Sequence, residues 1–354
     1  MRLGLEMEFW VIDESGWLCD GHDLTAAHED AVPELVESLV EVRTPPQDDV
    51  AGIEETLLEV LEALLAEATR TGRKLVPLGT PLTTCTSDIT SERGEVLERI
   101  YGDGLEVAKN CAGTHVHFEQ GDVTSQLNLL TALDPALALT CSSPYYKGDR
   151  LACSSRGNAY RYKAGFNFGK FRALWEYADD VTEWEARLQQ LYDELRSMAL
   201  NRDVTSEQFA DIFDPEDVVM APVRLREGTP TVEWRSPDTT LPSQIMYLLD
   251  DLVPLVERAN HQPVEIGEPE LSSDRITIPE YADVQLLSDA AIERGLNSTS
   301  VWKYLERMGF DTTRYHPISD QIYADQTVSE DYARRLRLEF AELLERDVLL
   351  LRGG

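Results

Sequence analysis

The chain has 354 residues, enough for one large domain or two of ordinary size, and its 42% apolar content suits a protein that buries a sizeable core. Its charge is extreme: 65 acidic against 32 basic residues leave −33 at neutral pH, which repels nucleic acid and anionic membrane and excludes both as partners. Only six of the basic residues are Lys, and this balance points to a salt-rich cytoplasm, where screening over a few Å makes so negative a surface tolerable.

The five cysteines are odd in number and show no C-x-x-C spacing, which argues against a disulfide framework and a zinc knuckle. Met1-Arg2-Leu3-Gly4 enters a strand pattern at once and leaves no room for a signal peptide. No apolar run approaches the ~20 residues of a membrane span. The expected location is the cytoplasm.

The first element is a strand, with Leu3, Leu5, Met7, Phe9 and Val11 on one face and Gly4, Glu6, Glu8 and Trp10 on the other. A second strand sets Val40 and Val42 opposite Glu41 and Arg43. A helix follows over Ile53–Arg70, with Ile53, Leu57, Leu61, Leu64, Leu65 and Ala68 on one stripe, Asp48 or Asp49 as its cap and Gly72 as its stop. Residues 75–79 read as a strand. The next strand sets Ala112, Thr114, Val116 and Phe118 opposite Gly113, His115, His117 and Glu119. A helix over 123–140 is expected to break at Asp134-Pro135, and another spans 181–200. Residues 219–225 and 231–235 form a hairpin turning at Glu227-Gly228, with Val232 and Trp234 opposite Thr231, Glu233 and Arg235. Helices are expected near 243–260, 283–294, 299–308 and 329–350. The fold class is α+β, a mainly antiparallel sheet with helices on its apolar face. Residues 262–354 are expected to be a mostly helical subdomain appended to residues 1–261, with Pro263, Gly267 and Pro269 at the seam.

The polar faces of these strands carry Glu, His and Arg where an ordinary half-exposed sheet shows Thr, Ser, Lys and Gln. Side by side they make a concave floor of carboxylates that repels itself unless divalent cations bind, and hard oxygen ligands with imidazole suit Mg²⁺ or Mn²⁺. With 65 acids in 354 positions, Glu-x-Glu recurs about ten times by chance, so Glu6/Glu8 count only because they interrupt an apolar alternation. The chain has six histidines, and two share one strand as His115-Val116-His117, either for metal or phosphate or as satisfied sheet histidines. Glu233-Trp234-Arg235 reads equally as a site or as an ion pair on a solvated face. Tyr145–Arg161 is locally basic and glycine-bearing, which suits an anion or a plain surface loop. His22, His28, His261 and His316 are isolated and receive no role. There is no G-x-x-x-x-G-K-[ST] loop and no strand-then-helix G-x-G-x-x-G, so a bound nucleotide would need metal ions and arginines for its phosphates.

Five motifs in order resemble those of glutamate–cysteine ligases, in the branch that includes bacterial carboxylate–amine ligases: Gly4-Leu5-Glu6-Met7-Glu8-Phe9, Leu39-Val40-Glu41-Val42-Arg43-Thr44-Pro45, Gly113-Thr114-His115-Val116-His117-Phe118, Ser142–Arg156 and Val232-Glu233-Trp234-Arg235. The resemblance covers roughly residues 1–260. It implies a curved sheet funnel like the catalytic domain of glutamine synthetase, with residues 1–261 as the catalytic ligase domain. It also implies ATP as co-substrate with up to three Mg²⁺ ions. Glu8 and Glu41, with Glu34 or alternatively Glu37, look like one metal cluster, and Glu6, His115 and Glu233 like another. Arg156 and Arg235 look like the catalytic and substrate-binding arginines, with Tyr145 and His117 also among the substrate-binding groups.

The implied reaction joins L-glutamate to L-cysteine through a γ-glutamyl phosphate, with small-molecule substrates as the partners. No side-chain nucleophile is required, and only one peptide-forming step is expected. A different amine acceptor is the alternative, since nothing in the motifs reads a thiol. A metal-dependent hydrolase built on His115-x-His117 is the second. A merely cation-binding acidic protein would not explain arginines on the same faces. Changing Glu233 to Gln is expected to cripple turnover and spare the fold.

Overall fold

The computed structural model describes residues 1–163, 165, 168–322 and 325–353. Its centre is a seven-stranded antiparallel sheet. The strands are β1 (Leu3–Asp13), β2 (Ala31–Pro33), β3 (Leu39–Arg43), β4 (Arg73–Val76), β5 (Thr114–Glu119), β6 (Val223–Arg226) and β7 (Thr231–Trp234). Their order is β2-β3-β1-β5-β7-β6, and β4 pairs with the far half of β1, Trp10–Asp13. The α+β expectation holds.

Alternation in β1 decides which face is which. Leu3, Leu5, Met7 and Phe9 are buried, while Gly4, Glu6 and Glu8 stay partly open. A slip of one residue would exchange Met7 for Glu6 or Glu8 in the core. Burying an apolar side chain is worth about 1.5–3 kcal/mol, and an unpaired carboxylate in its place costs more, so the register is strongly specified. The alternation stops after Phe9. Trp10, expected on the polar face, is fully buried there, and its indole N–H donates to the Leu78 carbonyl at 2.9 Å.

Three helices pack against the sheet: α1 (Val50–Arg70), α2 (Val123–Ala132) and the C-terminal Glu330–Gly353. Asp49 caps α1 by accepting from the Gly52 N–H at 2.8 Å. Gly72, at φ +70°, takes the left-handed turn that leads into β4. α2 gives way, as expected, to a 3₁₀ turn at Asp134–Leu139 that starts on Asp134-Pro135. Helices at Val181–Leu200, Pro242–Ala259, Tyr281–Arg294 and Thr299–Arg307 lie close to their expected ranges.

Differences fall on short elements. The strand expected at 75–79 is Arg73–Val76, and 219–225 contributes only Val223–Arg226. The helix Glu92–Tyr101 was not foreseen. Past residue 262, Val264–Ile266, Glu270–Leu271 and Ile276–Ile278 form a small three-stranded sheet, because strands of two or three residues leave no periodicity to read. One apolar cluster takes in Leu5 and Val116 together with Val301 and Leu344, from both sides of residue 262. No described helix is long and apolar enough to cross a membrane.

Candidate active site

Strand register assembles the site in rows on the open face of the sheet. Glu6 is level with Arg43 on one side and His115 on the other. Arg235, one residue past β7, closes that row with Nη1 3.3 Å from His115 Nδ1. The next row runs Gly4, His117, Glu233, Arg224. On the other side Glu8 lies opposite Glu41, and Glu34, at the end of β2, brings a third carboxylate to them.

Distances show how tightly the rows close. His115 Nδ1 is 3.1 Å from Glu6 Oε2 and 3.9 Å from Glu233 Oε1. His117 Nε2 is 3.5 Å from Glu6 Oε1 and 4.0 Å from Glu233 Oε1. Glu233 is fully buried and carries Arg224 Nε at 2.9 Å on Oε2 and Arg235 on Oε1. Glu8 accepts from the Gly113 N–H at 2.6 Å. Three sets of donor atoms lie within 4.8 Å of one another: Glu8/Glu34/Glu41, Glu6/His117/Glu233 and Glu6/Glu41/His115.

The two halves of the floor differ electrostatically. Burial pushes the Glu8 carboxyl up to about 7, helped by the charge of Glu41. Burial and then Glu8 do the same to Glu34, also to about 7. Glu41 is raised well above its usual value by burial and by Glu34, against the pull of Arg43. At Glu6, burial is outweighed by hydrogen bonds from His115 and His117, which hold its carboxyl far below the usual range. Glu233 is likewise lowered, with Arg235 overcoming burial. Burial and Arg235 push His115 down to about 4, so its ring is neutral at pH 7 and offers a lone pair. The carboxylates of the first half therefore have little compensating charge, Arg43 on Glu41 being their one arginine pair among the described residues, while those of the second are well supplied.

This donor set fits divalent cations. Carboxylate oxygens, joined by one imidazole in each of the two sets that contain Glu6, suit Mg²⁺ or Mn²⁺, His117 Nε2 is buried and faces Glu6 Oε1 at 3.5 Å, and three mutually repelling acids converge.

The cluster expected from Glu8, Glu34 and Glu41 is brought together as a set, with Glu34 rather than Glu37 supplying the third carboxylate. In the other expected set, Glu6, His115 and Glu233 are neighbours; His117 also groups with Glu6 and Glu233, and His115 with Glu6 and Glu41. Arg156 is buried, with Nη1 donating to the Ser236 carbonyl at 3.3 Å and Nη2 to the Arg235 carbonyl at 3.2 Å. Tyr145 is placed differently from expectation. Its ring is buried and its hydroxyl donates to the Asp325 carbonyl at 2.8 Å, so it is occupied as an internal strut. The tyrosine against the site is Tyr160, whose ring lies 5.3 Å from the Arg156 guanidinium and 5.1 Å from that of Arg172. Nothing in its local sequence marks it. Arg224 was also missed, although a four-residue turn in the hairpin would have set it opposite Glu233.

The model of glutamate–cysteine ligase family 2 matches residues 2–187. A Haloquadratum walsbyi protein named glutamate–cysteine ligase is 29% identical over 166 residues, which is 41% of this chain and 45% of that protein. A bifunctional glutathione synthetase from Pasteurella multocida superposes with a TM-score of 0.64 at 16% identity, over 98% of this chain and 52% of the other. A Francisella tularensis glutamate–cysteine ligase in complex with AMP superposes at 0.51 and 15% identity, over 99% of this chain and 91% of that one. The match to the Haloquadratum protein, like the superposition on the Pasteurella enzyme, spans about half of the relative's length. The two structural likenesses establish the fold. Glu233 and Arg235 lie beyond the residues matched by the family, and it is strand pairing that delivers them to Glu6 and His115.

Proposed function

The chain belongs to glutamate–cysteine ligase family 2, and from that membership we propose that it is an ATP- and Mg²⁺-dependent ligase forming a γ-glutamyl amide between L-glutamate and L-cysteine. The observation that carries this reading is the meeting of two acidic donor clusters with Arg235 and Arg156 on one sheet face. Glu8, Glu34 and Glu41 would hold one ion, and Glu6, His117 and Glu233, with His115 beside them, a second. Bound ions there supply charge neutralisation of the triphosphate and Lewis-acid polarisation of its γ-phosphoryl group.

A carboxylate is a poor acyl donor, and transfer of the γ-phosphoryl group to the glutamate side chain makes γ-glutamyl phosphate and releases ADP. Arg235, held by Glu233, offers its remaining donors to the phosphoryl oxygens, and Arg156 offers its charge to the substrate carboxylates beside Glu8. The amine of cysteine then attacks the acyl carbon, phosphate leaves, and the amine proton passes to solvent. The chain's contribution is alignment and charge, which requires no side-chain nucleophile. Substrates of this kind, ATP and amino acids, support a cytoplasmic location for the proposed reaction.

Steady-state release of phosphate by the full chain, with glutamate, ATP, Mg²⁺ and a panel of amines, tests the proposal. Release that needs glutamate and is fastest with cysteine, with the γ-glutamyl product seen by mass spectrometry, is the expected result. Phosphate release indifferent to glutamate would sink the ligase reading. Faster turnover with a non-thiol amine would move the acceptor and leave the rest standing.

A further inference from the structure

Behind the arginines lies a buried acid that the mechanism above does not use. Asp238 is 1% exposed, and its carboxylate reaches two distant stretches of chain. Oδ2 accepts from the Ser142 N–H at 3.0 Å, and Oδ1 accepts from the Ser154 hydroxyl at 3.0 Å. The Ser154 oxygen in turn accepts from the Gly157 N–H at 3.0 Å, capping the single helical turn Ser155–Asn158 that carries Arg156.

The backbone around Asp238 is pinned to the start of β5. Its carbonyl accepts from the Thr114 hydroxyl at 3.3 Å, and the Thr239 hydroxyl donates to the Gly113 carbonyl at 2.7 Å. Close packing confirms how little play there is: a Cβ at Gly79 would stand 2.7 Å from Asp238 Cγ, and one at Gly113 only 2.1 Å from Arg156 Nη2. The guanidinium thus lies directly on the Gly113 backbone, whose N–H is bound by Glu8.

A buried carboxylate is costly, but here both oxygens accept, from the Ser142 N–H and the Ser154 hydroxyl, where a neutral amide would offer one acceptor and turn its NH₂ toward a donor. What a charge adds is a long-range pull on a cation. Burial pushes the Asp238 carboxyl up to about 6 with Arg156 as the leading opposing influence, so the group stays ionised at neutral pH.

We infer that Asp238 is a positioning residue: acting through Ser154 and the turn 155–158, it fixes the Arg156 guanidinium over Gly113, where it faces a carboxylate substrate bound beside Glu8. This rests on the ligase reading, in which that substrate is glutamate.

The test compares Ser154→Ala, which deletes one oxygen from the link, with Asp238→Asn, using the full chain. The expected result is a rise of about tenfold or more in KM for glutamate, with KM for ATP unchanged. In an Arg156→Lys background Ser154→Ala is expected to add nothing further. Ser154→Ala decides the matter even where Asp238→Asn does not fold. Both KM values unchanged, or both raised in parallel with a lower melting temperature, overturns the assignment and reduces Asp238 to a structural strut. Wild-type chain without glutamate-dependent turnover removes the ligase reading and this role with it, whereas wild-type turnover with insensitive variants removes only this role.

Discussion

Glu8 and Glu41 stand directly opposite each other on adjacent antiparallel strands, two acids where cross-strand neighbours ordinarily differ in charge. Glu34 joins them, and no arginine bonds to Glu8 or Glu34 among the described contacts, whereas Arg43 pairs with Glu41 from a half-exposed position. Neutralising one member should therefore relieve more repulsion than it removes in pairing. Glu34→Gln is expected to raise the melting temperature of metal-free protein, by the equivalent of about 1 kcal/mol or more. The same change is expected to abolish the rise in melting temperature that Mg²⁺ gives the unaltered chain. A variant less stable without metal, or one that still responds fully to Mg²⁺, would contradict the metal assignment of this cluster.

The pH dependence of the metal-free protein follows from the same carboxyls. Glu8 and Glu34 titrate near 7 in the folded chain and Glu41 is raised as well, against a usual value of 4.5. Between these values the folded state holds more protons than the unfolded one, so stability falls as pH rises from about 4.5 to 7. Glu6 and Glu233, lowered in the folded state, work the other way, but their contribution is lost only below 4.5. Thermal melts in chelator should decline across that window, and the gain from Mg²⁺ should grow over it. Calorimetry should show proton release on Mg²⁺ binding below pH 7. Metal-free stability that climbs from pH 5 to 7 would overturn this account.

Legibility in the sequence tracks how much periodicity each feature has. β1 announces itself because Leu3, Leu5, Met7 and Phe9 alternate with Gly4, Glu6 and Glu8 over enough residues to exclude a helix, and α1 does so through its six-residue stripe and Asp49 cap. The floor could be anticipated because a residue's face follows from counting by two. Which donors group together could not, since that depends on lateral register: His117 comes level with Glu233, which a single strand does not encode. Tyr160 and Asp238 were invisible for a related reason. Their roles come from contacts with Arg156 and Ser154 across turns with no repeating pattern. Tyr145 was misplaced because a basic, glycine-bearing loop tells of anions without telling which ring faces them.

Glu233→Gln was expected to cripple turnover and spare the fold. The structure revises the second half. Glu233 is fully buried between Arg224 and Arg235, whose side chains are themselves largely enclosed. Removing its charge strands two buried guanidinium groups, a loss of about 3–5 kcal/mol. Chemical denaturation should show a markedly lower midpoint for Glu233→Gln than for Glu34→Gln, where an uncompensated acid is removed. Equal midpoints would mean that the Arg224–Glu233–Arg235 arrangement contributes little.

Salt dependence should be pronounced. Self-repulsion of 33 surplus negative charges is screened over about 3 Å at 1 M salt against about 10 Å at 0.1 M. The melting temperature is expected to climb steeply with KCl over that range, and full stability in dilute buffer would remove the case for a salt-adapted surface.

Gly113→Ala separates the site from the fold most cleanly. Gly113 is not among the glycines held at positive φ, so alanine suits its backbone. The added Cβ would instead meet Arg156, at 2.1 Å from Nη2 and 2.6 Å from Cζ, far inside van der Waals contact. A guanidinium is the free end of a flexible side chain and moves aside more cheaply than backbone does. The variant should fold with a melting temperature near that of the parent. Arg156 would then lose its seat over Gly113 and its bonds to the carbonyls of Arg235 and Ser236. Displacing a positioned charge by an ångström or more costs about 100-fold in rate, so glutamate-dependent turnover should drop on that scale. Metal-induced stabilisation, which depends on the carboxylates, should persist. Near-normal turnover in a folded Gly113→Ala protein would show that Arg156 does no work from this position.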